Sequence, residues 1–200
     1  MPGTAPDARN GSPPQRPQRV GILALQGDFE AHAKMIRALG AQPREVRTPA
    51  DLEGLDALII PGGESTVMTL GIEREGLAEP IRQLIRAGTP TLGTCAGMIM
   101  LDREHLGLLD VTTRRNAFGR QVRSFEADLD VDGVPGGPMH AVFIRAPWVA
   151  ERGPEVEVLA SVEEHPVAIR QGNLLAVSFH PELSGDDRLH VMLLAMNGDD

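Results

Sequence analysis

The sequence predicts one α/β domain with a mixed, mostly parallel sheet flanked by helices and an antiparallel extension in its C-terminal half. Three observations support this fold class. In the first half, short apolar runs alternate with amphipathic helical patterns, as in βαβ units. The second half contains mainly strand patterns. The chain has 200 residues and no internal repeat, which suits a single domain.

The first elements follow a polar N-terminal segment. Residues 1–18 hold five prolines and no aliphatic residue larger than alanine, so we expect a disordered tail and a domain spanning residues 19–197. Residues 20–25 form a nearly continuous apolar run, typical of a strand covered on both faces. Apolar residues then recur at helical spacing over 29–39, and Gly40 ends that helix.

The remaining elements are predicted from the same two periodicities. Predicted strands cover residues 42–46, 57–60, 91–94, 121–130, 139–144, 156–161, 166–170 and 174–179. Predicted helices cover residues 65–73, 76–87 and 187–196.

Composition excludes several classes of protein. The net charge of −9, from 28 acidic and 19 basic residues, argues against a nucleic-acid partner. No run reaches the roughly 18 apolar residues of a membrane span, and we expect a cytoplasmic protein without a membrane partner. The one cysteine, Cys95, can form neither an internal disulfide nor a thiolate metal cluster, so it is either packed or reactive.

The segment around Cys95 indicates that this cysteine is a nucleophile. Gly93-Thr94-Cys95-Ala96-Gly97 lies between a predicted buried strand and an apolar helical stretch, which is the pattern of a nucleophile elbow. Glycines on both sides let the chain turn sharply and pass close to its neighbours. The start of the following helix favours the thiolate. A buried structural cysteine is the alternative, and the flanking glycines argue against it.

A histidine and a carboxylate complete the predicted catalytic group. His180 follows the buried run 174–179, which carries it to the sheet edge where the loop after Thr94 also lies. Glu182 comes two residues later and can orient the imidazole. Alone, His-Pro-Glu would be read as a surface turn. With the elbow it predicts a Cys95-His180-Glu182 triad.

A glycine-rich loop is the third candidate feature. Pro61-Gly62-Gly63-Glu64-Ser65 follows a buried strand and opens a helix, so its backbone N–H groups suit an oxyanion hole. A phosphate-binding loop is the competing interpretation, but Glu64 is negative and no Gly-Lys pair follows. A plain tight turn is the third possibility.

Six segments, at residues 25–29, 61–66, 93–97, 115–121, 144–147 and 178–182, together resemble one family. They are similar to the triad glutamine amidotransferases and, within that class, to the glutaminase subunits of pyridoxal 5′-phosphate synthase. The resemblance spans about residues 19–196. Two departures are the extra N-terminal tail and the stretch 101–107, which is shorter than in the family.

The resemblance implies hydrolysis of L-glutamine to glutamate and ammonia, in which Cys95 attacks the amide, His180 moves the proton and Glu182 orients His180. It implies no cofactor or metal, and a hetero-oligomeric complex with a synthase subunit that accepts the ammonia. We assign the oxyanion-hole donors to Gly63 and Ala96. The implied substrate-binding residues are Gly63, Glu64, Ser65, Arg115, Ile144 and Arg145.

Two other functions remain open at this stage. The chain could be the glutaminase subunit of a different triad amidotransferase, such as one in histidine biosynthesis, which its co-purifying synthase would reveal. It could also be a regulatory module on the same fold. A non-catalytic module predicts a missing triad member, and all three members are present.

Overall fold

The computed structural model describes residues 16–115 and 124–196 of the chain. The strands in these ranges are β1 (Arg19–Leu23), β2 (Gln42–Val46), β3 (Ala57–Ile60), β4 (Thr91–Thr94), β5 (Val111–Arg114), β6 (Ser124–Leu129), β7 (Met139–Ile144), β8 (Trp148–Arg152), β9 (Glu157–Val162), β10 (His165–Gln171) and β11 (Leu174–Val177). The helices are α1 (Phe29–Ala38), α2 (Ser65–Arg74), α3 (Ala78–Arg86), α4 (Ala96–Leu101), α5 (Pro181–Ser184) and α6 (Arg188–Ala195), with a 3-10 turn at Pro49–Leu52.

A seven-stranded sheet organises the molecule. Its strand order is β2-β1-β3-β4-β11-β10-β9. The pairings from β2 to β11 are parallel, whereas β10 pairs antiparallel with both β11 and β9. Two separate antiparallel pairs, β5 with β8 and β6 with β7, extend the C-terminal half. The predicted fold class is confirmed.

Both faces of the central strands are covered by apolar side chains. Along β3, Leu58 and Ile60 belong to one buried cluster, whereas Ala57 and Ile59 belong to the other. The first cluster includes side chains of α2, α3 and α4, and the second includes side chains of α1 and α6. Burial on both faces explains why these strands read as continuous apolar runs rather than alternating ones. None of the helices in the described ranges has the length and apolar sequence to cross a bilayer.

The predicted elements differ from the observed ones mainly in the C-terminal half. Most predicted bounds shift by one or two residues, and residues 121–123 of one predicted strand lie outside the described residues. The strands β5 and β8 were not predicted. The two strands pair through partners far apart in the chain, such as Val111 with Arg152, and β5 has only one buried residue. Such a strand depends on its partner and leaves a weak local pattern.

The segment just before β1 contacts the domain. The Arg16 guanidinium donates two hydrogen bonds to the Asp56 carboxylate, at 2.8 and 2.7 Å. The Gln18 side chain donates to the Leu194 carbonyl at 3.1 Å, and its carbonyl accepts from the N–H of Gln42 at 2.8 Å. Residues 16–18 therefore differ from the predicted disordered tail, because their polar groups find partners on the domain. Residues 1–15 of that tail lie outside the described residues.

Candidate active site

Cys95 lies in a strained turn between β4 and α4. Its backbone has φ 49° and ψ −109°, in the region that side-chain-bearing residues rarely adopt. A Cβ atom on Gly97 would lie 1.9 Å from the Ile60 carbonyl oxygen, and one on Gly93 would lie 2.8 Å from the Gly97 carbonyl carbon. Only glycine fits at either position, so the two glycines set how closely α4 approaches the sheet beneath Cys95.

His180 and Glu182 follow the strand next to the one that precedes Cys95. Val177 of β11 pairs with Thr94 of β4 in parallel, so the segments that follow these two strands leave the sheet at the same edge. The Nδ1–H of His180 donates to Glu182 Oε1 at 2.6 Å, and the Glu182 side chain is fully buried. Burial lowers the pKa of His180, but hydrogen bonds and charge from Cys95 and Glu182 outweigh it and raise the pKa to about 10. This arrangement favours an imidazolium beside the sulfur.

The glycine loop after β3 packs against the Cys95–His180 pair. A Cβ atom on Gly62 would lie 2.5 Å from Cε1 of His180 and 3.2 Å from Cβ of Cys95. The Gly62 N–H donates to Thr94 Oγ1 at 3.1 Å, and the Glu64 N–H donates to Gln26 Oε1 at 2.5 Å. The loop carrying Gly63 is therefore held by hydrogen bonds on both sides.

Glu64 has a structural role in addition to lining the site. It is the N-cap of α2, where its carboxylate accepts hydrogen bonds from the N–H groups of Thr66 and Val67 at 3.1 and 2.9 Å. These two hydrogen bonds lower the pKa of Glu64, and the charge of Arg115 adds to the effect. Part of the hydrogen-bonding capacity of this predicted substrate ligand is therefore used by the helix.

One pocket brings the predicted site residues together. Its volume of about 320 Å³ is at the small end of the range for small-molecule sites, as an amino-acid ligand requires. Every predicted site residue except Glu182, which lies behind His180, contributes to its lining. The lining residues are Gln26, Gly63, Glu64, Ser65, Cys95, Ala96, Ile99, Arg115, Ile144, Arg145, Pro147 and His180.

Ile144 and Arg145 approach the nucleophile from the end of β7. The Ile144 carbonyl oxygen lies 3.9 Å from Sγ of Cys95. Arg145 has φ 46°, a second strained residue in the same pocket. Both residues line the pocket, and the backbone carbonyl of Ile144 lies beside the sulfur.

Sequence reasoning missed several residues of this region. Gln26 lines the pocket and binds the glycine loop, and its position just after the apolar run 20–25 could have placed it at the same sheet edge. His32, which lies behind the triad, could have been noticed because it shares the buried face of α1 with Ala33 and Ile36. Residues 116–121 of the segment that carries Arg115 lie outside the described residues. Within the described ranges, no group of three or more His, Cys, Asp or Glu residues has a metal-binding arrangement.

Known proteins resemble this chain over most of its length. The SNO glutamine amidotransferase family model matches residues 22–197. The pyridoxal 5′-phosphate synthase subunit PdxT of Frankia alni is 57% identical over 181 residues, covering 86% of this chain and 91% of that protein. PdxT of Nocardia farcinica is 49% identical over 205 residues, covering 96% of this chain and 90% of that protein.

A solved structure gives the same result. A crystal structure of a glutamine amidotransferase superposes with a TM-score of 0.84 at 47% identity, covering 90% of this chain and 98% of that one. The family match spans far more than half of the chain and includes the elbow, the glycine loop and the His-Pro-Glu segment. This chain therefore belongs to the SNO glutamine amidotransferase family.

Proposed function

We propose that this chain is the glutaminase subunit of a pyridoxal 5′-phosphate synthase, which hydrolyses L-glutamine to L-glutamate and ammonia and supplies the ammonia to a synthase subunit. The observation that carries the proposal is the shared pocket of Cys95 and His180, with Glu182 hydrogen-bonded behind the histidine. The identity to PdxT proteins over most of the chain supports this particular amidotransferase. Neither a histidine-biosynthesis subunit nor a non-catalytic module is favoured by these relatives.

The proposed reaction begins with the Cys95 thiolate, which attacks the side-chain carbonyl carbon of glutamine. The carbonyl oxygen becomes an oxyanion, which we assign to the backbone N–H groups of Gly63 and Ala96. The C–N bond then breaks, and His180 donates its proton to the departing nitrogen, which leaves as ammonia. A thioester between Cys95 and the glutamyl group remains.

Water completes the cycle. His180, now neutral, takes a proton from a water molecule that attacks the thioester carbon. The C–S bond breaks and restores the Cys95 thiolate beside the His180 imidazolium, and the new carboxyl group releases its proton to solvent and leaves as glutamate. Glu182 keeps Nδ1–H of His180 in place throughout, so that Nε2 remains available for the proton transfers. Each of these steps uses side chains and backbone groups of this chain.

Substrate recognition follows from the charges around the pocket. We assign the carboxylate of glutamine to the two pocket arginines, Arg115 and Arg145, because a guanidinium binds carboxylates well. We also assign substrate contacts to Gly63, Glu64, Ser65 and Ile144, which line the same pocket.

The test is a glutaminase assay of the full chain, alone and with the synthase subunit of the same organism. We expect glutamate release from L-glutamine, and pyridoxal 5′-phosphate formation by the mixture when glutamine is the nitrogen source. Ammonium salt in place of glutamine is the control, because it should support formation of the product without this chain. Absence of glutamate release both alone and in the mixture would refute the glutaminase. Glutamate release without glutamine-dependent formation of pyridoxal 5′-phosphate would refute the assignment of the synthase subunit as the partner.

A further inference from the structure

A buried polar cluster lies on the interior side of the triad. His32 of α1 and His190 of α6 are both fully buried, and Nδ1 of His32 lies 2.9 Å from Nε2 of His190. The other nitrogen of His32, Nε2, lies 3.3 Å from Thr94 Oγ1 and 3.4 Å from Glu182 Oε2. A continuous series of polar contacts therefore runs from His180 through Glu182 and His32 to His190.

Both interior histidines are neutral at physiological pH. Burial lowers the pKa of His32 well below its ordinary value, and the neighbouring His190 and His180 lower it further. Burial lowers the pKa of His190 to about 4, against the opposing charges of Asp187 and Asp186. A neutral imidazole has one N–H donor and one lone pair, so the tautomers decide what each contact does.

The surroundings determine the tautomer of His32. Among the described residues Glu182 Oε2 accepts no hydrogen bond of ordinary geometry, and Nε2 of His32 faces it at 3.4 Å. A lone pair on that nitrogen would repel the carboxylate, whereas an N–H there attracts both the carboxylate and Thr94 Oγ1. Nδ1 of His32 is then an acceptor, and the Nε2–H of His190 donates to it.

The same assignment accounts for the second unpartnered buried atom. Nδ1 of His190 has no hydrogen-bond partner among the described residues. With the proton on Nε2, this atom is a bare lone pair, and a buried acceptor without a partner is tolerated more often than a buried N–H. The opposite tautomers would bury an unpaired N–H at His190 and set a lone pair against Glu182.

His32 also reaches the glycine loop. Thr94 Oγ1, which His32 contacts, accepts the hydrogen bond from the Gly62 N–H. Thr94 is fully buried and immediately precedes Cys95. One imidazole therefore contacts both the carboxylate that orients His180 and the hydroxyl that holds the loop beside Cys95.

We propose that His32 is a positioning residue of the triad, which holds Glu182 and Thr94 through its Nε2–H while His190 fixes its tautomer. The role in glutamine hydrolysis rests on the proposed function, but the effect on Cys95 and His180 does not. His32 is not among the residues that line the pocket, so it acts through Glu182 and Thr94.

The test compares His32→Leu, which removes the donor, with His32→Gln, whose side-chain amide supplies an N–H near the position of Nε2. The control is Ile36→Ala, one turn further along the same buried face of α1, which destabilises the core but removes no polar group of the cluster. Two quantities are measured on the full chain with its synthase partner present: kcat and KM for glutamine, and the pH dependence of Cys95 alkylation by iodoacetamide.

We expect His32→Leu to lower kcat on the order of 10- to 100-fold, as in metalloenzymes that lose the partner orienting a metal-bound side chain, with KM nearly unchanged. The midpoint of the alkylation profile should move to higher pH, because a less well held Glu182 stabilises the His180 imidazolium less. His32→Gln should recover most of both effects, and Ile36→Ala should leave the midpoint in place.

Three results would overturn the proposal: an unchanged kcat and midpoint in His32→Leu, the same changes in Ile36→Ala, or no recovery in His32→Gln. If His32→Leu does not fold, His190→Leu tests the same connection, since it removes the donor to Nδ1 of His32. It should shift the midpoint in the same direction by less, and no shift would overturn the proposal. A midpoint that shifts in a chain without glutaminase activity would refute the proposed function and support the positioning role.

Discussion

The two sides of the triad differ in what surrounds them. On the pocket side, Cys95 and His180 face glycine backbone, two arginines and an opening to solvent. On the interior side, Glu182 faces the neutral, fully buried His32, which also contacts the buried hydroxyl of Thr94. The difference suggests a division of work, in which the pocket side recognises and attacks the substrate and the interior side holds the catalytic groups in position. Variants on the two sides should therefore change different quantities.

The largest effect is expected from the nucleophile. Cys95→Ala should lower kcat on the order of 10⁶-fold, because it removes the attacking sulfur. The fold should stay intact, because the substitution removes little volume. Glutamate release in the presence of the synthase partner measures activity, and thermal unfolding measures the fold. Substantial turnover by the alanine variant would end the assignment. A glutamine-like electrophile should label Cys95 stoichiometrically, and free glutamine should protect it.

The next largest effects are the losses of kcat on replacing His180 and Glu182, which should differ in size. His180→Ala should cost on the order of 10⁶ in kcat, and Glu182→Gln about 10⁴, since the amide still occupies the site but no longer stabilises the imidazolium. KM should change little in either variant. Steady-state kinetics of both variants under one set of conditions measures the difference. Equal losses of kcat would mean that Glu182 does more than orient His180.

Lowering the pH should destabilise the fold through the buried histidines on the interior side of the triad. The pKa of His190 is about 4 in the folded chain against an ordinary 6.5, so protonation favours the unfolded state. Full stability holds above about pH 6.5, and roughly 3 kcal/mol should be lost as the pH falls to about 4. Urea unfolding at several pH values measures this loss. His190→Leu should remove the part of the acid loss that His190 causes, whereas His32, whose pKa burial also lowers, should keep its own part.

The matched control for acid unfolding is His140→Gln. His140 is exposed, and the hydrogen bonds that its ring donates to Asp128 and Glu126 raise its pKa, so its protonation favours folding rather than opposing it. This variant should therefore lose at least as much stability in acid as the parent chain. If His190→Leu lost as much stability in acid as the parent chain, His190 would not be a source of that loss.

The smallest effect concerns substrate recognition on the pocket side. Arg115→Ala and Arg145→Ala should each raise KM for glutamine roughly 10-fold, the value of one lost charged hydrogen bond, with kcat less affected. Arg103→Ala is the control, because Arg103 pairs with Asp110 and is not among the residues that line the pocket. An unchanged KM in both pocket variants would leave these arginines with a structural role only.

The sequence was most informative where burial is strong. The strands 57–60 and 91–94 have their predicted bounds because both faces of each are covered, and the rule for parallel sheets placed Cys95 and His180 at one edge. The contacts of His32 and His190 could not be predicted in the same way. The two residues are 158 positions apart and meet only through packing of α1 and α6 near the sheet.

The position of Gly62 has a consequence for chemical labelling. Its peptide covers one face of the Cys95–His180 pair so closely that even a methyl group would collide with the imidazole. Cys95 itself is only 7% exposed, so a reagent must enter by the opening that admits the substrate. The thiol should therefore discriminate by size, reacting readily with a small haloacetamide and slowly with a bulky maleimide. The ratio of the two rates would measure the width of the pocket mouth in solution. A change in that ratio when a partner is added would show that docking alters this width.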